Sequence, residues 1–262
     1  MSLVEISDAD AVGVRAANPS AFTLTGTNSW LVGRDPAWLI DPGPVLAGHL
    51  EALAGEIGRR GGLGGIALTH DHFDHSEAVP VLQGQFPGTP LAAGRGESDA
   101  RLQPGARFGP LEAVATPGHA PDHFALLFGD VAFTGDAVLG QGSVFIAPDP
   151  GALAGYLEGL ARLRARALRL LAPGHGPIVD SPAAKLDQYV AHRLERERRL
   201  LQALAGGARS VPELLRGAWS EVPEVLRPAA TVTLAAHLDK LDDEGRLPAG
   251  VQRPAPFELS AP

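Results

Sequence analysis

The sequence predicts a layered α/β domain followed by a small, mainly helical C-terminal domain. Three observations carry that expectation. Over residues 1–182, short apolar runs alternate with helical stripes across Gly/Pro turns, as strands and helices packed in layers require. From Ser181 onward only helical patterns follow, which sets the second domain at 183–262. Hydrophobic residues make up 45% and charged residues 20%, the composition of a folded chain rather than a disordered one.

Taken in order, 21–25, 29–33 and 37–40 are predicted strands, the last two joined by a hairpin at Arg34-Asp35-Pro36. Residues 46–60 form a helix stopped by Gly61-Gly62. A strand at 66–69 runs into a histidine cluster, then a helix covers 76–83, and strands follow at 91–93, 112–116, 124–128 and 131–133. Asp149-Pro150 is a carboxylate cap with proline at the first helical position, and Leu153, Tyr156, Leu157, Leu160 and Leu163 then recur at helical spacing. A strand at 168–171 ends at Pro173-Gly174-His175. Helices at 183–205, 211–218 and 223–244 start at Ser181, Ser210 and Pro223, and an extended tail follows Gly245. Three helices and a β-like tail suggest a winged-helix module.

Composition excludes several chemistries. With no cysteine, neither disulfides nor thiolate ligands exist, so any metal is held by nitrogen and oxygen. The N-terminus is acidic with no apolar segment after it, and no run approaches ~18 apolar residues, which predicts a soluble, cytoplasmic chain with no membrane partner. Residues 1–160 carry 7 Lys/Arg against 18 Asp/Glu, and residues 161–262 carry 15 against 12. The second half reads as helices displaying solvated arginines; the sharper reading is a face for polyanions.

Nine histidines are present, and five of them sit at turns after predicted strands. In Thr69-His70-Asp71-His72-Phe73-Asp74-His75, residues two apart in extended chain point the same way, so His70 and His72 can serve one ion. The turn into a helix near Ser76 swings Asp74 and His75 to a neighbouring point. Pro117-Gly118-His119, Gly135-Asp136 and Pro173-Gly174-His175 each follow a strand and can converge on the same sheet edge.

His-x-His-x-Asp-His, followed by an isolated His, Asp and His, resembles the metallo-β-lactamase superfamily over residues 22 to 180. The resemblance implies a four-layer αββα sandwich with metals at one edge. It implies His70, His72 and His119 at a first ion, Asp74, His75 and His175 at a second, and Asp136 bridging both. Gly26-Thr27-Asn28-Ser29-Trp30-Leu31-Val32-Gly33, Thr116-Pro117-Gly118-His119, Asp122-His123, Gly135-Asp136-Ala137-Val138-Leu139-Gly140 and Pro173-Gly174-His175-Gly176-Pro177 resemble the subgroup of lactamase-beta-like endoribonucleases, which carries a C-terminal winged helix.

Imidazoles and carboxylates suit two zinc ions, and iron or manganese would accept them. Such a pair lowers the pKa of a shared water and polarises a scissile carbonyl or phosphoryl group. Asp74, His123 and Asp136 are the expected catalytic residues, with His123 orienting substrate, donating a proton or supporting the metal ligands. Asp41 is expected to receive a proton from a ligating imidazole, and Asp71 to form a turn. His49, His192 and His237 sit in helical patterns and read as structural.

Three functions follow: cleavage of single-stranded RNA, small-acyl thioester or lactone hydrolysis like that of hydroxyacylglutathione hydrolases, or DNA binding by the winged helix with a vestigial metal site. The helix at 229–241 offers only His237 and Lys240 as cations, which argues against sequence-specific DNA. Main-line β-lactam hydrolysis is disfavoured by the resemblance, because such enzymes usually lack an aspartate at the bridging position; promiscuous activity is compatible with the site. Arg193, Arg196, Arg198 and Arg199 lean the choice toward RNA, although Glu195 and Glu197 are interleaved.

Overall fold

A computed structural model describes residues 3–6 and 9–255. Two sheets face each other. The first runs β1 (Leu3–Ile6), β2 (Ala11–Arg15), β3 (Asn28–Val32), β4 (Ala37–Ile40), β5 (Leu63–Ala67), β6 (Leu91–Ala93) and β7 (Ala100–Arg101) in that spatial order. The second has the order β12-β11-β10-β9-β8, built from β8 (Arg107–Phe108), β9 (Leu111–Ala115), β10 (Phe124–Phe128), β11 (Val131–Gly135) and β12 (Leu170–Pro173).

Strand periodicity explains the layering. In β3, Trp30 and Val32 point between the sheets while Leu31 points outward; in β10, Phe124 and Leu126 point between the sheets while Ala125 and Leu127 point outward. Both faces are covered, so the strands are apolar throughout rather than alternating. On the first sheet the outer cover is α1 (Ala47–Arg59), whose Leu53 and Ile57 are buried, and α3 (Val79–Gln85), preceded by the short α2 (Phe73–Ser76). On the second it is α4 (Ala152–Arg164), whose stripe Leu153, Tyr156, Leu160 and Leu163 packs as the spacing requires. The predicted αββα sandwich is present.

The C-terminal helices are α5 (Pro182–Ala205), α6 (Val211–Ala218) and α7 (Arg227–Asp243). Near its start α5 buries Leu186 and Tyr189 in the core of α4, and near its end it buries Leu200 and Leu204 against α6 and α7. One helix thus belongs to two cores. The tail at 246–255 pairs with no strand and is held by the Gln252 N–H on the Arg209 carbonyl at 2.8 Å. Among the described residues, the three helices therefore stand without a β wing; residues 256–262 of the expected tail lie outside the description.

Several local expectations are corrected. Residues 21–25 form turns with one bridge, because Ser20 Oγ accepts the Phe22 and Thr23 N–H groups and Thr23 Oγ1 donates to Asn18, competing with a ladder. The helix expected at 76–83 is split into α2 and α3. β1 and β2 were not expected. The helix after Asp149 is capped by Gly151 in the left-handed region, with no side-chain cap. Among the described residues, no helix is long and apolar enough to cross a membrane.

Candidate metal centre

β4, β5, β9, β11 and β12 all run toward one edge of the sandwich, and the turns that follow them carry Asp41, His70 to His75, His119, Asp136 and His175. Two glycines admit this crowding. A Cβ on Gly118, at φ 131°, would lie 2.5 Å from Tyr156 Cβ. A Cβ on Gly174 would lie 2.7 Å from His75 Cε1 and 2.9 Å from Asp136 Oδ1.

The seven sequence-predicted ligands come together. His70, His72 and His119 offer donor atoms to one point, and Asp74, His75 and His175 to another, while His70, His75 and Asp136 form a third grouping between them. His72 Nδ1 and His119 Nε2 are 3.0 Å apart, and His75 Nε2 and His175 Nε2 are 3.3 Å apart. Asp136 divides its oxygens: Oδ2 lies 3.5 Å from His119 Nε2, and Oδ1 lies 3.4 Å from His175 Nε2 and 3.6 Å from His75 Nε2. A carboxylate that faces both groups is placed to bridge.

The surrounding hydrogen bonds select which nitrogen faces the centre. His75 Nδ1 donates to Asp41 Oδ2 at 2.9 Å, His175 Nδ1 to the Gly26 carbonyl at 3.4 Å, and His119 Nδ1 to the Phe145 carbonyl at 3.3 Å. Thr69 Oγ1 donates to Asp41 Oδ2 at 2.7 Å and so accepts from His70 Nδ1 at 3.0 Å. Four imidazoles thereby turn Nε2 toward the centre, the nitrogen a metal would take in place of a proton. His70 Nε2 and Asp136 Oδ1 are buried without a hydrogen-bond partner. Buried orphans of this kind, converging in two sets, fit a pair of cations.

Electrostatics divide the cluster. Burial, reinforced by neighbouring imidazoles, pushes His70 well below the ordinary histidine range, and burial takes His119 down to about 4. Burial also opposes charge on His75 and His175, but the carboxylates of Asp74, Asp41 and Asp136 lift His75 to about 9, and those of Asp136 and Asp74 lift His175 to about 10. Burial resists ionisation of Asp74, yet His75 and His175 hold it at about 2.

His123 occupies a different position from the one expected for a proton carrier. Its Nε2 accepts the Asp136 N–H at 3.1 Å, so Nδ1 donates to Thr116 Oγ1 at 2.8 Å. It is 1% exposed and burial pushes it well below the ordinary range, so Nε2 holds the Asp136 backbone while Nδ1 is anchored on Thr116. Asp41 makes the expected bond to an imidazole of the candidate ligand set, that of His75. Asp71, expected to form a turn, pairs with Arg95 Nε at 2.6 Å, and its carbonyl accepts from Ser76 Oγ at 3.1 Å. His49 is buried between Ser29 and the Pro42 carbonyl.

Above the ligands lies a cavity of about 470 Å³. His72, Asp74, His119, Asp136 and His175 form its floor, and its walls include Phe22, Leu24, Phe73, Phe145, Trp219 and Leu226. His192, Arg193 and Arg196 of α5 and Ala229, Ala230 and Thr233 of α7 complete it. Helical periodicity alone did not reveal that His192 would reach this wall, because the facing surface is set by packing.

The chain is 30% identical to a beta-lactamase-like protein 2 homolog of Drosophila melanogaster over 90% of its own length and 89% of that protein. It belongs to the metallo-β-lactamase superfamily. An atrochrysone carboxyl ACP thioesterase of Aspergillus chevalieri is 34% identical over 81% of this chain and 74% of the relative. A beta-lactamase domain protein from Burkholderia ambifaria superposes with a TM-score of 0.77 at 21% identity, covering 95% of this chain and 91% of that one, and so shares the superfamily fold. No family model matches the chain.

Proposed function

We propose that this chain is a dinuclear zinc acyl hydrolase that cleaves an ester or thioester of a largely apolar acyl group. One observation carries the reading: the metal-ligand floor opens into a cavity walled by Phe22, Phe73, Phe145, Trp219 and Leu226. Aromatic and aliphatic walls take an acyl chain or ring out of water; they offer little to a phosphodiester backbone. The thioesterase relative agrees with this substrate class. His70, His72 and His119 would hold one ion, Asp74, His75 and His175 the other, with Asp136 between. When bound, two zinc ions supply Lewis acidity toward an acyl carbonyl and toward water. Asp74 lines the cavity and stays ionised, so its carboxylate can accept a hydrogen bond from an incoming water and orient it.

The support that the α5 arginines lent to RNA cleavage falls away. Arg193 and Arg196 are buried, and Arg198 and Arg199 bind Glu195 at 2.6 and 2.8 Å. On α7, Lys240 is engaged by Glu197 and Glu244 and Arg227 by Glu224, and His237 is buried, so this helix presents no free cation to DNA. The test is turnover by the metal-loaded protein of a panel of acyl thioesters beside fluorescent single-stranded RNA. Thioester cleavage lost in Asp136→Asn supports the proposal. RNA cleavage lost in the same variant, with every thioester intact, overturns it.

A further inference from the structure

Arg193 is 2% exposed and lines the cavity wall. Its Nη2 donates to the Val144 carbonyl at 2.5 Å, its guanidinium lies 5.2 Å from the centroid of the Tyr156 ring, and its Nε is buried without a partner. Among the described residues no carboxylate pairs with it. Glu221 is taken by Arg196 at 2.5 Å and Arg199 at 3.4 Å, and Glu197 by Lys240 and Arg246. Its charge acts on Tyr156, to which it also hydrogen-bonds, and on Tyr189, His192 and His237, none of them a carboxylate. His237 is itself buried with both ring nitrogens unpartnered.

An arginine cannot shed its proton, and a buried charge without a counter-charge is costly. A group that supplies the missing charge from the cavity would offset that cost. We propose that Arg193 binds a carboxylate carried by the substrate's acyl group, so that the natural substrate is an ω-carboxyacyl ester or thioester. The ester bond in this statement rests on the acyl-hydrolase reading; the anion site rests on Arg193 alone. A lone guanidinium matches a planar monoanion in fork geometry, whereas a phosphate brings close to two charges and wants further donors. Phe145, Trp219 and Ala230 on the same cavity wall suit the apolar stretch between carboxylate and reacting carbonyl.

Calorimetry on the metal-loaded full chain tests the site directly, using the ω-amide monocarboxylates from succinamate to sebacamate and the matching diamides. One chain length should bind the parent, and Arg193→Met should weaken it at least about tenfold, the loss of one charged hydrogen-bonded pair. The diamides should not distinguish the two proteins. Arg193→Met removes an unpaired buried charge but also orphans the Val144 carbonyl, and these opposed effects should leave the melting temperature of the ligand-free protein little changed. Arg193→Gln, which keeps a donor for Val144, guards against a folding defect and should bind the carboxylates as weakly as Arg193→Met. No Arg193-dependent binding anywhere in the series overturns the proposal. So does a fall in melting temperature that Arg193→Gln restores together with full binding, since that assigns Arg193 to holding the loop at Val144. Carboxylate binding through Arg193 without hydrolysis of any thioester would keep the site and remove only the acyl-hydrolase reading.

Discussion

Asp41 sits at the end of β4 with φ of 51°, and its two oxygens serve three donors: the Thr69 N–H, the Thr69 hydroxyl and His75 Nδ1. It thus orients His75 directly and His70 through Thr69, reaching both groups of candidate ligands without belonging to either. Asp41→Asn should keep the fold and lower metal affinity ~10–100-fold, the usual effect of losing such a partner. Asp136→Asn should cost more, because its oxygens face both groups. Stepwise metal titration of both variants checks the order; parent-like affinity in Asp41→Asn would remove its orienting role. Asp41 was legible from its place at a strand end. Thr69 was not, since a threonine beside a histidine has no distinguishing local signal.

The helix α5 shows what spacing can and cannot tell. Its extent follows from Ser181-Pro182 and its apolar stripe, but the fate of its four arginines depends on neighbours. Arg196 is buried on the Ala218 carbonyl and Trp219, whereas Arg198 is exposed beside Glu195. Arg196→Ala should therefore destabilise by about 1–3 kcal/mol, the cost of orphaning a buried acceptor and losing a charged bond. Arg198→Ala should leave stability close to that of the parent, because an exposed pair is screened by solvent. Chemical denaturation of the two single variants decides this, and equal losses would contradict the burial difference. Likewise β2 escaped notice because all but its last residue are buried, which erases the alternation that marks a strand.

For the molecule as a whole, metal and protons compete for the same nitrogens. In the metal-free protein His75 and His175 titrate at about 9 and about 10, above their ordinary 6.5. Their ion pairs contribute stability that is complete below about pH 6.5 and lost as pH rises through 9 to 10. Metal binds the unprotonated rings, so loading near neutrality should release protons and strengthen with pH. The melting temperatures of metal-loaded and chelator-treated protein should accordingly draw apart as pH climbs from 6 to 9. A gap that stays constant over that range would show that these two histidines are not metal ligands.

What the sequence by itself determined is the part written in short segments: the seven candidate ligands at turns after strands, the glycines that let those turns close, and the stripe of α4. Local backbone preference and side-chain period act over a few residues, so they are readable from those residues. Only the tertiary structure decided that Asp136 divides its oxygens between two groups, that His123 supports it, and that Phe22, Phe145, Trp219 and Leu226 enclose one cavity. It also decided that Arg193 is buried against that cavity with no carboxylate paired to it among the described residues. These facts depend on which faces of distant elements meet, and that choice comes from packing two sheets and seven helices together, a sum over contacts that no local window contains.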